Sequence, residues 1–141
     1  MADKPAWTRF FSFRGRSARR EYWRIILALL VLGVLLQLVA AIPGAILIAL
    51  PISIAGNIAQ WAVIARRLHD LGRSGWWQAP AMLLGSIALV RAVTLGQAGA
   101  ELHPNLSAAI GGAMLLTMVF FIVIGSVRGD PGPNRFGESP R

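Results

Sequence analysis

The chain has 141 residues, 55% hydrophobic and 14% charged, with 14 Lys and Arg against 6 Asp and Glu and a net charge of +8. A soluble domain carries about 25% charged residues, and a globule this small leaves much of its chain at the surface. So few charges cannot cover it, which excludes a water-soluble fold and points to one integral membrane domain, residues 1–141.

The N-terminal arm, 1–22, is basic: Lys4, Arg9, Arg14, Arg16, Arg19 and Arg20. Trp7, Phe10 and Phe11 stand at i, i+3 and i+4, a spacing that suits a short amphipathic segment on a membrane surface. The apolar run that follows exceeds the ~7–15 residues of a signal-peptide core, so it reads as a retained anchor. From Ile25 to Ala65 there is no charge. That is twice the ~20 residues needed to span hydrocarbon at ~1.5 Å per residue. Pro43-Gly44 divides it, because Pro suits a first helical turn and Gly a tight one. The spacing predicts helix one over about 23–42 and helix two over about 44–66, kinked at Pro51. A polar hinge, 66–77, is followed by helix three over about 76–96, interrupted by Arg91. Residues 97–105, with Gly99, Glu101, His103 and Pro104, have loop chemistry. Helix four covers about 106–127, and a Gly- and Pro-rich tail occupies 128–141.

With four spans, the arm, the hinge (Arg66, Arg67, Arg73) and the tail (Arg128, Arg135, Arg141) fall on one side. The positive-inside rule makes that side cytoplasmic, both termini included. Trp7, Tyr22, Trp23, Trp76 and Trp77 then form an interfacial aromatic belt. Bases beside apolar spans are placed for anionic headgroups, at roughly 1 kcal/mol each; their placement argues against nucleic acid. Small residues recur at Ala41, Ala45, Ala49 and Ser53 with Asn57, and at Ser107/Gly111 and Ala108/Gly112. Such rows let helices approach closely, within a bundle or between copies.

Three motifs carry a resemblance. They are Phe13-Arg14-Gly15-Arg16-Ser17-Ala18-Arg19-Arg20-Glu21-Tyr22-Trp23, Arg66-Arg67-Leu68-His69-Asp70-Leu71-Gly72-Arg73-Ser74-Gly75-Trp76-Trp77, and Gly129-Asp130-Pro131-Gly132-Pro133-Asn134-Arg135-Phe136-Gly137-Glu138-Ser139-Pro140. Together, and in this order, they resemble the YhaH-like family of small bacterial inner-membrane proteins, the domain-of-unknown-function family numbered 805. The resemblance implies a bacterial inner-membrane location and a multi-pass, four-span helical fold. It implies no catalytic residues.

The three motifs converge on one face in this topology. Arg14, Arg16, Arg19, Arg20, Arg66, Arg67, Arg73 and Arg135, with Asn134, are the candidate ligands for an anionic lipid headgroup or phosphorylated solute, because guanidinium binds phosphate bidentately. The competing reading pairs arginines with Glu21, Asp70, Asp130 and Glu138. His69-Asp70 is the one juxtaposition with catalytic chemistry, but two histidines and no cysteine do not assemble a metal site. No metal and no cofactor is assigned; Asp70 is expected to pair with an arginine and His69 to hydrogen-bond at the end of helix two. Glu21, Trp23, Gly72, Gly75, Trp76, Trp77, Gly132, Phe136 and Gly137 are read as structural, with Phe136 anchoring a tail that folds back over the helix ends.

The expected protein is thus all-α, four transmembrane helices with a cytoplasmic cap. Its leading function is non-enzymatic, engaging anionic phospholipid headgroups or a membrane-protein partner. The alternatives are a small-solute or ion conduit, using Asn57 and Gln60, and a membrane-embedded enzyme acting on a phosphorylated substrate.

Overall fold

The computed structural model describes residues 6–40, 42–97 and 104–140. Lys4, Ala41, Gly99, Glu101, His103 and Arg141 lie outside the described residues. Four α-helices follow one another: α1 (Arg19–Ala40), α2 (Ile46–Asp70), α3 (Ala79–Gln97) and α4 (Pro104–Ser126). Short 3-10 turns occupy Ala6–Arg9 and Gly75–Gln78.

α1 begins at Arg19, four residues before its expected start, and two further boundaries differ from expectation. α2 runs on to Asp70, so the first half of the expected hinge is the last helical turn and a half. Basic side chains there suit the negative end of the helix dipole. The stop comes at Gly72, whose φ of +69° only glycine adopts readily. Its N–H donates to the His69 carbonyl and that of Arg73 to the Leu68 carbonyl, the paired bonds of a Schellman motif. The second difference is the start of α3. Ser74 accepts a hydrogen bond from the Trp76 N–H, and the resulting 3-10 turn delays α3 to Ala79. Pro51 lies inside α2.

α1 packs on α2, α3 on α4, and α2 and α1 on α4. The first motif meets the end of α2 through Ser17 N–H, which donates to the Arg66 carbonyl at 3.1 Å, so α1 and α2 are antiparallel. The hydrophobic core is concentrated at that end: Tyr22, Val63, Ile64, Leu68, Met82 and Ile124, with Trp23, Ile25, Ile26, Phe120 and Phe121 packed around them. Glycines mark the close crossings. A Cβ at Gly125 would lie 2.6 Å from Tyr22 and 2.9 Å from Trp23; one at Gly85 would lie 3.0 Å from Thr117. The rows expected in α4 behave differently, since Gly111 and Gly112 have nothing within 4 Å of a Cβ. They face outward on an exposed stretch of α4. A small residue permits close approach but does not attract a neighbour.

Among the described residues, three helices are long and apolar enough to cross a membrane: Arg19–Val39, Ile46–Asp70 and Pro104–Ser126. Only 6%, 22% and 11% of their most apolar windows are buried within the protein. The chain leaves most of this apolar surface uncovered, as a lipid-facing helix requires and a soluble one does not tolerate.

Candidate functional site: a buried arginine–aspartate cluster beneath the tail

Asp70 is the last residue of α2 and is 4% exposed. Its Oδ1 accepts from Arg16 Nε at 3.0 Å and Nη2 at 2.8 Å, and its Oδ2 accepts from Arg67 Nη1. The other hydrogen bonds of both guanidinium groups go to backbone carbonyls. Arg16 Nη1 reaches the Gly132 and Gly137 carbonyls at 2.6 and 3.3 Å, and Nη2 reaches that of Asp130 at 2.6 Å. Arg67 donates through Nε to the Ile124 carbonyl at 2.9 Å, through Nη1 to that of Ser17 at 3.3 Å, and through Nη2 to that of Val127. Burying a guanidinium costs least when its charge and its N–H groups are met. Arg16 and Arg67 approach that condition by gathering all three motifs around one carboxylate, whereas Nε and Nη2 of the buried Arg66 have no hydrogen-bond partner.

The end of α4 explains the choice of partners. A helix leaves its last four carbonyls without intrahelical donors. Here Arg67 takes Ile124, Trp23 Nε1 takes Gly125 at 3.2 Å and Arg19 Nη1 takes Ser126 at 3.4 Å. Tyr22 donates its hydroxyl to the Phe121 carbonyl at 3.0 Å. Side chains of α1 and α2 thus cap α4.

The tail lies across the cluster. Asp130 N–H donates to the Asp70 carbonyl at 2.8 Å. A Cβ on the neighbouring Gly129 would fall 1.9 Å from Asp70 Oδ2, so only glycine fits there. Asn134 and Gly137 exchange backbone hydrogen bonds, closing a tight turn with Gly137 at φ +126°. The Asn134 side chain donates to the His69 carbonyl at 2.9 Å and to Asp130 Oδ2 at 3.0 Å, and accepts from Phe136 N–H at 2.9 Å. Phe136 stacks on His69, centroids 3.9 Å apart and planes at 7°. The Arg135 guanidinium lies over the Phe136 ring, 4.6 Å from its centroid.

The sequence candidates therefore divide. Arg16, Arg66 and Arg67 are buried. Arg14, Arg19, Arg20, Arg73 and Arg135 are exposed, and so are Arg9, Arg24 and Arg128. Glu21 bridges Arg9 at 3.4 Å and Arg66 at 3.6 Å. The expectation that Asp130 and Glu138 pair with arginines is not met: among the described residues, the ion pairs use Glu21 and Asp70. Asp130 instead accepts from Asn134. Gly75 sits where a Cβ would meet Ala65 at 2.9 Å. Trp76 and Trp77 are 83% and 60% exposed, as interfacial tryptophans would be, and Arg73 lies 5.3 Å over the Trp77 ring. Gly132 contributes its carbonyl to Arg16.

His69 and Asp70, adjacent in sequence, point to different partners. His69 Nδ1 lies 3.1 Å from the Gly15 carbonyl, while Asp70 faces the arginines. They form no acid–base dyad. Among the described residues no group of three or more His, Cys, Asp or Glu could hold a metal ion. Sequence reasoning overlooked Gly125 and the capping role of Tyr22, because each depends on what lies opposite in space.

The chain is 30% identical over 146 residues to inner membrane protein YhaH of Escherichia coli (strain K12), covering 94% of this chain and 89% of that one. It is 29% identical over 134 residues to inner membrane protein YhaI of the same organism, covering 94% and 88%. No solved structure matches. The family model described as protein of unknown function (DUF805) matches residues 10–138, which include Arg16, Asp70 and the tail turn. With that match over nearly its whole length and its uncovered apolar helices, this chain is a membrane protein belonging to the DUF805 family.

Proposed function

We propose that the protein is a non-enzymatic, multi-pass inner-membrane protein with four crossings. Its arm, hinge and tail lie in the cytoplasm, and their outer arginines engage anionic phospholipid headgroups. The observation that carries this reading is the partition of charge at one end of the bundle. Asp70 and Glu21 are consumed by Arg16, Arg67, Arg66 and Arg9, and Asp130 is held by Asn134. The exposed surface is left with Arg14, Arg19, Arg20, Arg24, Arg73, Arg128 and Arg135. Buried pairs fold the cap, and the surplus of positive charge faces outward, where anionic headgroups gather. An even number of crossings is supported by the start of α1 and the ends of α2 and α4 meeting at one place.

The test is lipid selectivity in nanodiscs of mixed phosphatidylglycerol and phosphatidylcholine. Retention of phosphatidylglycerol by the purified protein should fall when Arg19, Arg20, Arg73 and Arg135 are changed together to Gln, and should weaken with salt. Equal retention of both lipids by the unaltered protein would refute the reading. Reporter fusions at residues 73 and 103 should report opposite sides of the membrane.

A second reading, a path for a small polar solute, draws support from one groove. Gln37, Ser53, Asn57 and Gln60 share a space of about 370 Å³ between α1 and α2. Amides in hydrocarbon need partners, which water or a solute would supply. Flux in proteoliposomes that Asn57→Leu alters is the expected sign; no flux above protein-free vesicles removes it.

A further inference from the structure

A second space, unrelated to the arginine cluster, lies between α2 and α3 where the second motif turns the chain. It has a volume of about 730 Å³ and is bounded by Phe13 from the arm, Trp61 and His69 of α2, Trp76 and Gln78 of the 3-10 turn, and Ser86 of α3. Its walls are mainly apolar and include three aromatic side chains. Trp61, Trp76 and Ser86 are exposed, so the space opens to the outside along the helix flanks.

Two acceptor atoms border this apolar setting. A carbonyl oxygen only accepts, so the bond to Gly15 places the neutral ring's proton on His69 Nδ1. Nε2 is then a lone-pair acceptor, and no described group donates to it. The ring cannot readily turn away, because Phe136 stacks flat against it. Gly75 leaves Nε2 uncovered, since a Cβ there would stand 3.5 Å from it. The second atom is Gln78 Oε1, buried and without a hydrogen-bond partner. An unmet buried acceptor costs about 1–3 kcal/mol, so Gln78 Oε1 favours a ligand that donates, and the half-buried His69 Nε2 is free to accept from the same ligand.

We propose that this space binds the reduced, dihydroxy-aromatic head of a membrane-soluble quinol, entering from the bilayer. The aromatic walls suit a planar ring. A ring hydroxyl donates to His69 Nε2, and the Gln78 side chain, turning its Oε1 out into the space, takes the second donor. The oxidised quinone offers only carbonyl oxygens, which meet the lone pair of Nε2 instead of a proton. A phosphate group fits no better, because its oxygens are also acceptors and no arginine or lysine lines the space. This site is therefore separate from the anionic-lipid surface.

The experiment is calorimetric titration of the full chain in phosphatidylcholine nanodiscs, under anaerobic conditions, with decylubiquinol, decylubiquinone and dioctanoylglycerol. Saturable binding of the quinol, about tenfold tighter than the quinone, is expected from one neutral hydrogen bond gained. His69→Phe keeps a ring against Phe136 but removes Nε2, and should reduce quinol binding to the quinone level. Ser86→Phe fills the space from an exposed position and should abolish binding of both forms with the melting temperature unchanged. Equal affinity for the two oxidation states overturns the proposal. So does tighter binding of dioctanoylglycerol, or quinol binding that survives Ser86→Phe.

Discussion

Asp70→Asn tests the architecture of the cap most directly. The carboxylate accepts from two guanidinium groups, and the Arg16 and Asp70 side chains are only 1% and 6% exposed. An amide keeps one acceptor oxygen for Arg16 but turns an NH₂ group toward Arg67, donor against donor, and removes the counter-charge of both. Breaking a buried pair by removing one partner costs about 3–5 kcal/mol, because the survivors stay buried and uncompensated. For a chain of this size about 1 kcal/mol shifts the midpoint by 2–4 °C. The variant in detergent should therefore melt roughly 6–20 °C lower. The loss should also be local. Arg16 holds the tail through the Asp130, Gly132 and Gly137 carbonyls, so tryptic cleavage after Arg135 should accelerate before the helices separate. Glu138→Gln, at an exposed position outside the ion pairs, is the control and should change neither readout. A melting point within a degree of the parent, with unchanged cleavage, would refute the idea that this carboxylate organises the three motifs.

Three further outcomes follow from the packing. Gly129→Ala should release the tail as Asp70→Asn does, since its methyl group would occupy the place of Asp70 Oδ2; rapid cleavage after Arg135 is the readout. Gly125→Ala should destabilise by about 1–3 kcal/mol through overpacking against Tyr22 and Trp23, whereas Gly111→Ala, with open space around it, should be neutral or slightly stabilising by about 0.5–1 kcal/mol. Melting of the two variants side by side in one detergent checks the pair. Tyr22→Phe removes the hydroxyl bond to Phe121 but leaves the ring, and should cost about 1 kcal/mol in the same melt.

The helices and their order could be read from the chain because hydrocarbon imposes a simple rule. Uninterrupted apolar length makes a span, and Pro43-Gly44 and the Gly72–Gly75 segment end it. Where α2 stops was misjudged for a physical reason. Arg66, Arg67, His69 and Asp70 look like loop in a membrane sequence, yet their charges are paired and capped, so the helix carries them to its last turn. The arginines were recognisable as a group; which were structural was not. Arg66 and Arg67 are buried and Arg73 is exposed, though all three stand in one basic motif.

Composition and the run of apolar residues suffice to place this chain in a membrane, because transfer of apolar surface depends on how much there is and hardly on its arrangement. Charge along the chain likewise marks one end of the bundle as basic. The division of labour among those charges, the close crossings at Gly125 and Gly129, and the space beside Trp61 and Trp76 follow from distances between residues far apart in sequence. Hydrogen bonds and steric contacts act over a few ångströms, so they exist only once the helices and the tail have come together.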